Sequence, residues 1–151
     1  TQPTARLGIV GGAGANKLDY LDSLRERVRL LGLGDAVVFA GSRNQIPECL
    51  SIADVVVASN TVKPESFGLV MVEALAMGRP VVAKAFGGAL DIVRDGRDGV
   101  LVAGTSPAEF AGAILRALEL PRAALRADVL ERFDYGIMCR DTLAVYEELT
   151  K

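Results

Sequence analysis

The chain has 151 residues, half of them hydrophobic, with a net charge of −2, two cysteines and no histidine. That length suits one domain with a buried core, and the apolar half argues against a disordered chain. The absence of histidine excludes Ser-His-Asp and Cys-His nucleophiles and histidine-ligated metal centres, and the weakly acidic balance argues against nucleic acid as a partner.

The first expected element is a short apolar strand at residues 7–10, followed by Gly11-Gly12-Ala13-Gly14 and a helix over 18–31. Gly32 and Gly34 fall just past that helix, where a left-handed cap is wanted. A strand at 37–40, a helix at 47–53 and a strand at 55–58 come next. They are followed by a helix at 67–77 closed by Gly78, a strand at 81–83, a helix at 89–94 before Gly96, and a strand at 100–102. Several strands are continuously apolar rather than alternating, as in a parallel sheet covered on both faces. Strand and helix in alternation predict an α/β fold, a Rossmann-like parallel sheet flanked by helices. The last third is helical. Ser106, Pro107 and Glu109 occupy the N-cap, N1 and N3 positions of a helix over 106–118, and further helices are expected at 122–132 and 137–149. With no linker or repeat in view, residues 1–151 read as one domain with a helical C-terminal tail.

Cys49 and Cys139 lie in no Cys-x-x-Cys pattern, residues 1–6 show no signal-peptide pattern, and no apolar run approaches the roughly 18 residues that span a bilayer. A soluble, cytoplasmic protein is the expectation. Arg116, Arg122, Arg126 and Arg132 raise the alternative of a basic helical face that touches anionic lipid at the inner face of the membrane. Glu119, Asp128 and Glu131 are interleaved with them, which favours a solvated face.

The most informative stretch runs Pro64-Glu65-Ser66-Phe67-Gly68-Leu69-Val70-Met71-Val72-Glu73-Ala74-Leu75-Ala76-Met77-Gly78. Glu73 is the one charged residue between Phe67 and Met77. A carboxylate in an apolar helix is costly to bury without partners, so either an arginine pairs with it or a ligand does. In open α/β sheets ligands bind at the carboxyl ends of strands. The free N–H groups of Phe67, Gly68 and Leu69 would form an anion site there, strengthened by the helix dipole. Gly68 would let a ligand approach the backbone. Glu65 before the first turn and Glu73 two turns in would reach opposite ends of one elongated ligand.

The pair forms an E-x7-E pattern within P-E-S-F-G-L-V-M-V-E-A-L-A-M-G-R-P-V-V-A, followed by Gly87-Gly88. Together with I-V-G-G-A-G, L-G-L-G-D-A-V-V-F-A-G, A-D-V-V-V-A-S and G-R-D-G-V-L-V, in this order, the chain resembles the retaining GT-B glycosyltransferases of group 1, family 4. The resemblance runs from about Leu7 to Tyr146 and covers the C-terminal, donor-binding domain. It implies that Glu65 lies beside the reacting centre, as the catalytic residue, and that Glu73 accepts hydrogen bonds from the donor ribose. It implies further that amides at Phe67, Gly68, Leu69 and Val70 hold the sugar and β-phosphate. Ser42 and Arg43, after Gly41, resemble the loop beside the base, with a solvated cation as the alternative for Arg43. Gly12 would line the same crevice, although its surroundings fail as a dinucleotide fingerprint, and a tight turn is the competing reading. Gly87 and Gly88 would again allow close approach of the ligand. Asp91 stands where relatives often carry glutamate, and Lys84 reads as a solvated lysine beside a phosphate contact as the alternative.

The donor implied is a nucleotide-diphosphate sugar, its leaving group stabilised by helix amides and cations, with no metal cofactor and no D-x-D motif in the sequence. Relatives carry an Arg and a Lys upstream of the position of Leu7 and an N-terminal acceptor domain. The expectation is therefore a piece of a longer protein, partnered by that domain, which alone binds donor weakly and transfers no sugar, with a degenerate relative of the family as the alternative. An uncovered sheet edge would favour self-association. The competing functions are a non-catalytic nucleotide-sugar-binding module and another GT-B enzyme such as a nucleotide-sugar epimerase. The lack of histidine argues against the epimerase.

Overall fold

A computed structural model describes residues 4–14, 17–60 and 66–150. They form five strands and seven helices, in the order β1 (Leu7–Val10), α1 (Leu18–Leu30), β2 (Val37–Gly41), α2 (Ile46–Ser51), β3 (Val56–Ala58), α3 (Leu69–Ala76), β4 (Val81–Lys84), α4 (Ala89–Ile92), β5 (Gly99–Val102), α5 (Pro107–Leu118), α6 (Leu125–Phe133) and α7 (Tyr135–Leu149). The chain divides into two compact units, Thr1–Cys49 and Leu50–Lys151, with α2 straddling the division. The first holds a two-stranded parallel sheet, β1-β2, and the second a three-stranded parallel sheet in the order β3-β4-β5. All five expected strands are present and parallel where paired, which bears out the reading of parallel sheets flanked by helices, with a helical C-terminal tail.

In the first unit, Leu7 pairs with Val37 and Ile9 with Phe39, and the register shifts at Val10, which faces Gly41. Helix α1 ends as a glycine cap predicts. Gly32 is left-handed at φ +66, and the Leu33 N–H donates back to the Val28 carbonyl at 3.0 Å. None of the unit's described residues is fully buried.

The core lies in the second unit. Val81, Val82 and Ala83 of β4 are sealed from solvent, since β4 is flanked by β3 and β5 and packed against both α3 and α5. Val82, Val100 and Val102 join Ala113 and Ala117 of α5 in one cluster. Met71 and Leu75 bury the inner face of α3, and Leu125 and Val129 that of α6, the helix it packs against.

Helix boundaries differ from the expected ones where a specific residue intervenes. Helix α3 starts at Leu69 rather than 67 because Gly68 is left-handed, at φ +95 and ψ +60. Helix α4 ends at Ile92 rather than 94 because Val93 is extended and the Arg94 N–H donates to the Asp98 carboxylate at 2.6 Å. Asp134, at φ −63 and ψ +140, ends α6 and accepts from the Gly136 N–H to begin α7. Among the described residues no helix is long and apolar enough to cross a membrane.

The second unit's own contacts add detail to the solvated-face reading of Arg116, Arg122, Arg126 and Arg132. Arg126 donates to the Ala76 carbonyl at 2.7 Å, Arg132 to the Asp91 carbonyl at 2.7 Å, and Arg122 lies 3.6 Å from Asp54. These three arginines tie α6 and its approach to neighbouring elements. Arg116 alone of the four is exposed on α5 without such a partner among the described residues.

Candidate functional site

The carboxyl ends of β3 and β4 lead into the segment where the sequence places the site. Ser59 and Asn60 follow β3, Phe86-Gly87-Gly88 follows β4, and the turn Ser66-Phe67-Gly68 opens α3. Between them is a shallow cavity of about 210 Å³, lined by Ser59, Asn60, Val70, Met71, Lys84 and Phe86 among others. Its position follows from the parallel sheet, whose strand ends and helix starts gather on one edge.

The turn is open because of its glycine. Gly68 caps α3 in a left-handed conformation and contributes no side chain, so nothing among the described residues accepts from the amides of Gly68, Leu69 and Val70. Free first-turn amides carry the positive end of the helix dipole and suit an anion. Leu69 and Val70 are 66% and 42% exposed, and Glu73 lies one turn further along the same exposed face.

That placement corrects the physical argument for Glu73. Its carboxylate is exposed, not buried in apolar surroundings, so no desolvation cost demands a partner. Every apolar neighbour on α3 that needs cover points the other way, through Met71, Ala74 and Leu75. A residue pattern with one charge in eleven positions therefore reflects a helix buried along a single side, with Glu73 displayed on the opposite one.

The two glycines after β4 have different reasons. Gly87 is left-handed, at φ +58. Gly88 is buried, and a Cβ there would meet the Phe67 carbonyl oxygen at 2.3 Å and the Phe67 Cα at 2.8 Å. The close approach expected of a ligand is made instead by the Phe67 backbone, so Gly88 locks the opening turn of α3 against α4. Lys84 is also not simply solvated, since its half-buried side chain donates to the Ala103 carbonyl.

Gly12, Ser42 and Arg43 belong to the first unit. There the Gly11 N–H donates to the Gly41 carbonyl at 2.9 Å, and a Cβ at Gly12 would lie 2.9 Å from Ser42 Oγ. Gly12 and Ser42 are thus brought together at the carboxyl ends of β1 and β2, with Arg43 exposed beside them. Glu65 lies outside the described residues. Phe67, Gly68, Leu69, Val70, Glu73, Gly87 and Gly88 are gathered in the second unit. Ser59, Asn60 and Phe86 were not singled out by sequence, although the rule that ligands bind at the carboxyl ends of strands points to them.

Below the site, Asp98 is 1% exposed and forms the hub of a charged network. Arg94 Nε lies 2.5 Å from its carboxylate and Arg132 3.5 Å, while Arg94 and Arg97 reach Asp128 at 2.7 and 2.8 Å. Burial works against the Arg94 charge, but the hydrogen bonds it donates to Asp98 and Asp128 overcome it and hold the guanidinium above its ordinary pKa. The same arginines hold the Asp128 carboxyl below the usual carboxylate range, Arg94 first and Arg97 second. This network fastens α6 to the segment joining α4 and β5.

A parallel α/β unit with an uncapped helix start at its strand ends is an architecture suited to receiving an anion. The particular family follows from comparison: residues 1–132 match the model of the glycosyl transferases group 1, and the chain belongs to that family. It is 38% identical to a D-inositol 3-phosphate glycosyltransferase of Acidothermus cellulolyticus, over 96% of this chain and 33% of that protein. A protein of the same name from Stackebrandtia nassauensis is 36% identical, over 95% and 34%. Among solved structures, Anabaena Alr3699/HepE in complex with UDP and glucose superposes with a TM-score of 0.86 at 29% identity, covering 97% of this chain and 41% of that one. Sucrose-phosphate synthase from Thermosynechococcus elongatus gives 0.84 at 28% identity, covering 99% and 39%. The chain spans about a third of the length of the curated relatives it matches, and its fold is that of the Rossmann-like C-terminal domain of GT-B glycosyltransferases.

Proposed function

We propose that this chain binds the nucleotide-diphosphate sugar of a family 4 glycosyltransferase that transfers its sugar with retention of configuration. The observation that carries the reading is the open start of α3 beside the strand-end cavity, in a chain of the group 1 family. In this reading the amides of Phe67, Gly68, Leu69 and Val70 hold the sugar and β-phosphate, and Glu73 accepts from the ribose hydroxyls. In the first unit, the loop of Ser42 and Arg43 is the candidate for a base contact, with Gly12 at the turn beside it; in the second, Gly87 and Gly88 shape the turn at the start of α4. Glu65 acts beside the reacting carbon. The helix amides stabilise the departing diphosphate, so no metal is required. An N-terminal domain of the same protein supplies the acceptor side, and the work is done in the cytoplasm. UDP is the nucleotide to test first, because Alr3699/HepE was solved with UDP and glucose.

The test is thermal stabilisation of the chain by UDP-glucose, set beside GDP-mannose and ADP-glucose. A ligand at a hundred times its Kd stabilises by about 2.7 kcal/mol, which a melting curve resolves. Stabilisation by one of the three is expected, with Glu73→Ala abolishing it and Asp91→Ala retaining it. Equal losses in the two variants would remove the ribose role of Glu73, and no stabilisation by any nucleotide sugar would remove the donor reading.

A further inference from the structure

The Phe67–Gly68 turn is gripped from two sides. On its backbone side, Gly88 at the start of α4 packs so closely that a Cβ there would fall 2.3 Å from the Phe67 carbonyl oxygen. On its side-chain side, the Phe67 ring meets the Phe133 ring edge to face, with centroids 5.7 Å apart and an interplanar angle of 76°. Phe133 is the last residue of α6, some way along the chain from the turn. Its ring is itself held, because the Arg132 guanidinium lies 4.6 Å from the ring centroid. Arg132 in turn donates to the Asp91 carbonyl on α4 at 2.7 Å and lies 3.5 Å from the buried Asp98 carboxylate. The turn, α4 and the end of α6 thus form a closed loop of contacts, in which Phe133 touches the turn through a ring pair.

A left-handed glycine turn with no capping side chain has little of its own to fix its shape. Two aromatic rings in an edge-to-face pair fix distance and angle together, and a cation over the second ring stiffens it further. We propose that Phe133 is a positioning residue: it acts through Phe67 to hold the amides of the α3 start in the arrangement that receives the donor. This rests on the donor-binding reading above. Phe133 does not touch the donor in this account, and its effect is on the geometry of groups that do.

The experiment uses the full chain and four forms: unsubstituted, Phe133→Leu, Phe133→Tyr, and Val129→Ala as a control for destabilisation. Val129 is buried on the same helix. Each is measured for UDP-glucose affinity by calorimetry, for urea midpoint, and, without ligand, for exchange of the Met71 amide, which donates to the Gly68 carbonyl at 2.9 Å. Loss of one aromatic pair corresponds to roughly a three- to tenfold effect. Phe133→Leu is expected to weaken UDP-glucose binding and quicken Met71 exchange by about that factor, and Phe133→Tyr to restore both. Val129→Ala is expected to lower the urea midpoint while leaving affinity within about twofold. Affinity lost equally in Val129→Ala and Phe133→Leu, no rescue by tyrosine, or no loss in Phe133→Leu would each overturn the proposal. Absence of binding by UDP-glucose, GDP-mannose and ADP-glucose alike in the unsubstituted chain would overturn the donor reading and the positioning role with it. The ligand-free Met71 exchange separates that failure from a turn that Phe133 does not hold.

Discussion

Two helix starts in the second unit treat the same problem in opposite ways. Every α-helix begins with amides that have no partner within the helix. Helix α5 closes its own: Ser106 Oγ accepts from the Glu109 N–H at 3.2 Å, and the Glu109 carboxylate accepts from the Ser106 N–H at 3.0 Å. Pro107 at its first position removes another donor. Helix α3 begins at a left-handed glycine with no capping side chain, beside a cavity at the strand ends. One start is completed by its own residues and serves stability. The other has no capping partner among the described residues and is held in place from outside, by Gly88 and Phe133. The difference teaches that an unfilled polar site in a folded chain needs a scaffold around it, and the scaffold is visible in the contacts.

The largest effect is expected where that scaffold is tightest. Gly88→Ala would drive a Cβ to 2.3 Å from the Phe67 carbonyl oxygen, backbone against backbone, with no flexible side chain to yield. A loss of about 3 kcal/mol is expected, read as a lowered urea midpoint, with loss of UDP-glucose binding as the turn is pushed away. Stability within about 0.5 kcal/mol of the unsubstituted chain, the range of ordinary surface changes, would show that α4 does not lock the turn.

A smaller effect belongs to the turn itself. Gly68→Ala places a side chain at φ +95, which costs about 1–2 kcal/mol. The affinity for UDP-glucose is expected to fall by more than the change in stability alone would give, because the relaxed turn aims its amides elsewhere. If stability fell while affinity held, the open start of α3 would not be where the donor binds.

The fold was largely legible in the sequence because parallel strands and their helices leave strong local marks. Apolar runs at 7–10 and 81–83, Gly32 after α1 and the Ser106-Pro107-Glu109 cap each specify their structure within a few residues. The candidate site was legible as a segment but not in its reasons. Glu73 looked buried because its neighbours on α3 are apolar, and burial depends on which side the partner helix α6 covers. Gly88 looked like room for a ligand, when the space is filled by Phe67. Phe133 had no signal at all, since its contact with Phe67 joins positions far apart in the chain and only packing brings them together. Arg132 likewise read as a surface cation because a lone sequence cannot show that its guanidinium ends on the Asp91 carbonyl.

The smallest effect tests the closed start. Ser106→Ala removes the acceptor for the Glu109 N–H and is expected to cost about 1 kcal/mol, without changing the affinity for UDP-glucose. Its pH dependence has a definite sign. The Ser106 side chain and then the Ser106 N–H hydrogen-bond the Glu109 carboxylate, holding it below the usual carboxylate range. A carboxyl depressed in the folded state stabilises above the unfolded pKa and loses that contribution as pH falls through the folded value. The gap between the unsubstituted chain and Ser106→Ala is therefore expected to be full at neutral pH and to narrow below about pH 4. Urea midpoints at neutral and acid pH measure it. A gap that stays constant would mean that the serine contributes through the Glu109 N–H alone. A gap that widens in acid would mean that the carboxylate is held against its preference, and α5 would then be no more self-sufficient at its start than α3.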